Sequence, residues 1–232
     1  MKSLVHALGR AYINRICRSE AEAQKFRRHN ERSIEFAFVF DAITRFRPVD
    51  VLDAGTGTTA LPSLIASCGC VVTAIDNVRD YWPAGMMNRH WQVIDDDIRS
   101  PRTRPGFDLV TCVSVIEHIE DHRSAFSQMV SLAKPGGLVL ITTPYNEREA
   151  VPNVYKLPGA AYGQDLSYIC RSTSRREVDA WMAATGAEIV TQDYWEFWTG
   201  TVWTQGQILP VPRKVTPQDS HQLTCILARV PG

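Results

Sequence analysis

Two groups of residues in this sequence could do chemistry. The first is Asp53-Ala-Gly55-Thr-Gly57, which follows the apolar pair Val51-Leu52, so that a strand runs into a turn whose glycines leave no Cβ between backbone and ligand. Asp76 closes the next apolar run, residues 71–75. It stands about twenty residues on, where the dinucleotide-binding fold places an acid that accepts hydrogen bonds from ribose hydroxyls. Together these residues suit a nucleoside-like ligand. The second group is Glu117, His118 and His122, after the β-rich run 107–113. It offers imidazoles able to exchange a proton near neutral pH, with a carboxylate beside them.

The turn admits two ligands. Gly55-x-Gly57-x-x-Ala60 satisfies the loose nicotinamide-dinucleotide pattern. Asp53 speaks against that reading, because an acid two residues before the first glycine repels a pyrophosphate, whereas an amino-acid ligand bearing an ammonium would welcome it. Asp53-Ala-Gly55-Thr-Gly57-Thr-Thr59 resembles motif I of class I S-adenosylmethionine-dependent methyltransferases, with threonine in place of the third glycine. Ser114-Val-Ile-Glu-His-Ile119 resembles motif IV of that family, in the form common among small-molecule, quinone and polysaccharide-related members. Lys134-Pro-Gly-Gly137 is similar to its usual turn into strand five. The resemblance covers residues 49–142.

The resemblance implies S-adenosyl-L-methionine as cofactor, with Asp53, Gly55, Thr56, Gly57, Asp76, Asn77 and Ser114 around it. It also implies that Asp97-Ile98 contacts the adenine, with Asp96 the close alternative; a solvated, capping loop is the competing reading of those acids. His118 is the expected general base, with Glu117 and His122 as fallbacks, against the plainer reading that Glu117 and His118 only begin the next helix. Metal-dependent relatives carry Glu-x-x-Glu-His. Here Ser114 occupies the first carboxylate position, so metal-independent transfer is expected. The implied reaction is methylation of a small molecule, through oxygen by preference: a metabolite, natural product or saccharide. Two other readings remain: a non-catalytic S-adenosylmethionine-binding subunit, which Thr59 mildly favours, and an NAD(P)-dependent oxidoreductase.

To position such residues the chain must supply a sheet with helices on both faces. Its 232 residues suffice for one well-buried α/β domain. The expectation is a doubly wound, seven-stranded, mostly parallel, Rossmann-like sheet with a helical N-terminal cap. Residues 1–47 form the cap and 48–232 the core, with lid insertions at 144–173 and 192–220. The cap reads as two or three helical segments, with a restart near Ser19 or Glu20 and Pro48 closing the last. The basic run 25–29 is either a lid or a solvated face. Strands are expected to end at Leu52 and Asp76, and to occupy 91–94, 107–113, 138–142, 187–191 and 222–228. Helices are expected at 58–68, 124–133 and 175–185, the last capped by Ser174 and ended by Gly186. Tyr194, Trp195, Phe197, Trp198 and Trp203 either wall a substrate pocket or pack internally.

Composition narrows the partners. Twenty-five basic and 25 acidic residues cancel, so no global charge draws the chain to nucleic acid or an anionic membrane. No stretch is long enough to span a bilayer, and the first residues lack the apolar core of a signal peptide, so a cytoplasmic location is expected. The six cysteines are scattered, Cys68-Gly-Cys70 has the wrong spacing for a zinc knuckle, and reduced structural thiols are expected. The expected partner is a small-molecule substrate, with no nucleic acid and no membrane; oligomeric state is left open.

Overall fold

Strands 50–54 and 107–113 are buried on both faces, as strands covered by helices on both sides must be. In the computed structural model they lie at the centre of a nine-stranded sheet. The structure describes residues 2–22, 30–82 and 85–232. The chain divides into two units, Met1–Asn30 and Glu31–Gly232. The first holds one continuous helix, α1 (Lys2–Glu22), which runs through Ser19 and Glu20, so the expected restart there does not occur. The basic run 25–29 lies outside the described residues.

The second unit opens with α2 (Arg32–Phe46), which ends where Arg47 turns left-handed (φ +50°) ahead of Pro48. Helix α2 therefore sits in the unit that holds the sheet, whereas the sequence division at residue 47 groups it with α1. The elements that follow are β1 (Asp50–Ala54), α3 (Leu61–Ser67), β2 (Val71–Asp76), α4 (Val78–Tyr81), β3 (Ile94–Asp95) and β4 (Phe107–Val113). Beyond them come α5 (His122–Leu132), β5 (Ala133–Asn146), β6 (Thr173–Ser174), α6 (Arg175–Thr185), β7 (Glu188–Trp198), β8 (Ile208–Val215) and β9 (Leu223–Arg229). The sheet order is β3-β2-β1-β4-β5-β9-β7-β8, with the short β6 beside β5. Strands β3, β2, β1, β4 and β5 are parallel, and β9 inserts antiparallel between β5 and β7.

Two expectations fail for local reasons. Strand β3 is only two residues long, because Asn88 Oδ1 accepts the N–H groups of His90 and Trp91 and holds that segment in a turn. Residues 192–220 are not mainly an insertion: β7 runs on to Trp198 and β8 adds an edge strand, which takes the sheet past the expected seven. Region 147–172 does lack long elements, yet Val154, Tyr155 and Cys170 in it are buried in the core with Phe197, Trp198 and Trp203. Those aromatics pack internally.

Alternating residues divide the core. Val51, Leu109, Leu140 and Leu227 face α2 and α3, while Leu52, Val110, Ile141 and Ile226 face α5 and α6. No helix among the described residues is long and apolar enough to cross a membrane. Among those residues all six cysteines are free, Cys17 and Cys68 exposed and the rest buried.

A buried amide holds the far end of the sheet. Gln222 Oε1 accepts the backbone N–H of Phe197 (3.0 Å) and of Trp198 (2.9 Å), and its Nε2 donates to the Gly200 carbonyl (2.6 Å). Gln222→Leu strands both N–H groups and should cost about 2 to 5 kcal/mol. A urea midpoint equal to that of the parent chain would show that other acceptors replace it.

Candidate functional site

A cavity of about 890 Å³ opens at the carboxyl ends of β1, β2 and β4, the edge at which open α/β sheets bind ligands. The turn after β1 forms its floor. Gly55 has φ +77°, and a Cβ there would lie 2.4 Å from the Val115 side chain. Gly57 has φ +56°, with the Trp82 ring 3.5 Å from where its Cβ would be. The turn's amides are already used: Gly55 and Thr56 donate to the Ile75 carbonyl, and Gly57 donates to Asp76 Oδ2 (2.8 Å). Asn88 Nδ2 closes the other side by donating to the carbonyls of Gly57 and Thr59. With α3 starting only at Leu61, the turn offers no run of outward amides for a pyrophosphate.

The cavity gathers Asp53, Gly55, Thr56, Gly57, Asp76, Asn77, Asp96, Asp97, Ile98, Ser114 and His118 along its wall. Asp53 accepts from Thr56 Oγ1 (2.7 Å) and Thr111 Oγ1 (2.8 Å), and burial raises its pKa despite those bonds. Asp76 accepts from Gly57 on one oxygen and from Trp82 Nε1 (2.9 Å) on the other. Asp76 also takes a backbone hydrogen bond from Asn77, and with about four acceptor sites its carboxylate keeps room for a ligand hydroxyl. Burial raises the Asp76 pKa as well. Asp96 and Asp97 behave oppositely. Burial works to raise Asp96, but bonds from Thr103 and Arg102 outweigh it and lower its pKa. Asp97 is lowered chiefly by its bonds to Arg99, and it also accepts weakly from Asn77 Nδ2 (3.4 Å). Asp96 thus ties its own loop, and Asp97 stands nearer Asn77 on the rim.

Glu117 and His118 form a single 3-10 turn (Ile116–His118), separate from α5, which Asp121 caps through Ser124 N–H. His118 Nδ1 lies 2.6 Å from the Ile169 carbonyl, which can only accept, so that nitrogen carries the proton and Nε2 keeps its lone pair. Burial lowers the His118 pKa against the effect of that bond. Glu117 is 3% exposed, its pKa is pushed well above the usual range by burial, and its Oε2 has no partner. The 4.0 Å approach of Glu117 Oε1 to His118 Nε2 is too long for a hydrogen bond, and burial shifts both groups toward their uncharged forms. Glu117 is not on the cavity wall.

His122 is displaced from the site altogether. It starts α5 and turns into the α5–α6 interface, where its Nδ1 accepts from Trp181 Nε1 (3.0 Å) and its Nε2 lies 3.6 Å from Glu177. The fallback role given to it from the sequence is withdrawn, because His122 packs against α6 and is not on the cavity wall. The sequence reading missed Arg32, Phe36, Tyr81, Trp82 and Tyr168, all on the wall. Tyr81 and Trp82 lie within six residues of Asp76 and were a usable signal; Arg32 and Tyr168 had none. Among the described residues no three His, Cys, Asp or Glu side chains form a possible metal site.

Residues 23–192 match the family described as Methyltransferase domain. Over 153 residues the chain is 31% identical to a ubiquinone biosynthesis O-methyltransferase of Azotobacter vinelandii, covering 60% of this chain and 64% of that one. Over 119 residues it is 28% identical to a protein of the same name in Coxiella burnetii, covering 48% and 50%. The chain thus spans about half to two thirds of the length of these curated relatives. Its fold is similar to that of the N-methyltransferase NodS from Bradyrhizobium japonicum WM9, solved with S-adenosyl-l-homocysteine (TM-score 0.54, 17% identity, 87% of this chain and 88% of that one). It is also similar to a Burkholderia thailandensis 1,6-didemethyltoxoflavin-N1-methyltransferase (TM-score 0.60, 14% identity, 98% and 90%).

The packing at Gly55 gives a direct test. Gly55→Ala places a Cβ against Val115 at a positive φ, and should cost at least about 1 to 2 kcal/mol for the backbone alone. Adding Val115→Ala should recover only the steric part in chemical denaturation. Full recovery would mean that φ there is not restrictive.

Proposed function

This chain belongs to the Rossmann-like, S-adenosylmethionine-dependent methyltransferase family, and from that premise we propose that it moves a methyl group onto a small-molecule acceptor, through oxygen. One observation carries the reading: the amides of the glycine turn are closed onto Ile75 and Asp76, with the acids Asp53 and Asp76 beneath. Such a floor disfavours a pyrophosphate and fits a nucleoside whose other end carries an ammonium. When bound, S-adenosylmethionine supplies an electrophilic methyl on a sulfonium sulfur. Asp76 would hold the ribose, Asp97 and Ile98 would border the adenine, and Asp53 would keep the turn in shape through Thr56 and Thr111.

The remaining work is positioning and one proton. Orienting two reactants can lower a barrier by as much as about 7 to 11 kcal/mol, so no elaborate machinery is required. His118 lines the cavity with its Nε2 unprotonated and suits the role of base toward a hydroxyl acceptor. The curated relatives' name, O-methyltransferase, supports an oxygen acceptor. Ser114 offers no carboxylate, which supports transfer without a metal.

Calorimetric titration with S-adenosylmethionine, S-adenosylhomocysteine and NADH, each separately, tests the proposal. Binding of the two sulfur nucleosides alone is expected; binding of NADH alone would overturn it. Asp76→Ala should weaken the sulfur nucleosides about ten- to a hundredfold, from the loss of bonds to a charged group. An unchanged dissociation constant would remove Asp76 from the site.

His118→Gln should lower the rate at saturating cofactor about 10²- to 10⁴-fold while leaving cofactor affinity alone. Because burial lowers the His118 pKa, Nε2 is deprotonated above its ordinary value. The acid limb of the rate profile should therefore lie below about pH 6.5. A limb at higher pH would point to a different base.

A further inference from the structure

Glu35 is a carboxylate with 0% exposure, set in the apolar face of α2 among Ile34, Phe38 and Val39. Packing alone would be served as well by an apolar side chain, and a buried charge is costly unless donors surround it. Three do. Ser114 Oγ (2.5 Å) and Thr142 Oγ1 (2.6 Å) donate to its Oε1, and Arg32 Nη1 (2.8 Å) donates to its Oε2.

Those donors stand where the cavity wall is made. Val113 and Thr142 are register partners at the carboxyl ends of β4 and β5, and the Ser114 N–H donates to Thr142 Oγ1 (3.0 Å). Ser114 is left-handed, φ +51°, a conformation that residues with a Cβ adopt at a cost. The next residue, Val115, fills the space above Gly55, and His118 follows three residues later. Arg32 also lines the cavity and reaches toward the Val113 carbonyl (3.5 Å).

We propose that Glu35 is the positioning residue of this site: its carboxylate holds Ser114 left-handed and fixes Arg32 at the rim, so that the wall from Val115 to His118 is formed before any ligand arrives. The ligand in question rests on the methyltransferase reading; the clamp itself does not. A merely structural Glu35 would lower stability when changed. A positioning Glu35 disturbs residues 113–118, and a glycine at 114, which adopts positive φ freely, relieves the disturbance.

The experiment compares the parent chain with Glu35→Gln, Ser114→Ala and the double variant Glu35→Gln/Ser114→Gly. Circular dichroism checks folding, calorimetry with S-adenosylhomocysteine reads affinity, and hydrogen exchange reads residues 113–118 without ligand. Glu35→Gln should bind about tenfold or more weakly, as expected for lost bonds to a charged group. Its exchange should quicken at 113–118 but not in α6, and Ser114→Ala should shift both readouts in the same direction. The double variant should return to within about threefold of the parent affinity, since glycine needs no anchor at positive φ. Parent-like affinity and exchange in Glu35→Gln would overturn the proposal, as would a double variant as weak as Glu35→Gln. If Glu35→Gln does not fold, parent-like behaviour of Ser114→Ala overturns it. A parent chain that ignores S-adenosylhomocysteine would sink the methyltransferase reading, while exchange at 113–118 would still decide the role of Glu35.

Discussion

Gly55 has no room for a side chain, and the rest of the site is arranged around that constraint. Val115 occupies the volume a Cβ would need, so the exit of β4 is packed directly on the exit of β1. The amides on either side of the turn are closed onto Ile75 and Asp76, which adds the end of β2 to the same block. Three strand ends distant in sequence thus become one rigid floor, and Trp82 and Asn88 are fastened to it through Asp76, Gly57 and Thr59. Closed amides also decide the chemistry: what approaches this floor meets side chains and glycine backbone rather than a phosphate cradle.

Charge around the cavity is graded by the same burial. Asp53, Asp76 and Glu117 have raised pKa values because burial penalises their anions, and His118 is lowered because burial penalises its cation. At the rim, Asp96 and Asp97 are held ionised by Thr103, Arg102 and Arg99. Burial thus shifts the interior acids upward and the imidazole downward, while hydrogen bonds shift the rim acids downward. An uncharged His118 nitrogen is the state a general base requires.

The central sheet was legible because its signals are local. The apolar run closed by Asp76, the β-rich run 107–113, and the helix between Ser174 and Gly186 all appear where expected. In the last case Ser174 and Glu177 form a reciprocal cap and Gly186 is left-handed. Misreadings occurred where a side chain from elsewhere competed with the backbone pattern. Asn88 captures the amides of His90 and Trp91 and shortens β3. The aromatic stretch after Thr191 gave no hint of its partners, since Tyr155 and Cys170, which help to bury it, lie in a region without periodicity.

The sequence by itself determined the order of strands and helices around the glycine turn, and the residues Asp53, Gly55, Gly57, Asp76 and His118 that reach the cavity, because strand-to-turn spacing sets which positions end at the ligand edge. Tertiary structure alone decided between His118 and His122: four residues apart, one lines the cavity and the other packs against Trp181 of α6. It alone brought Arg32 and Tyr168 to the wall and placed Glu35 against Ser114 and Thr142, 79 and 107 residues away. Contacts of that kind depend on how α2 lies across the sheet. No periodicity along α2 records which of its polar residues will meet a strand end.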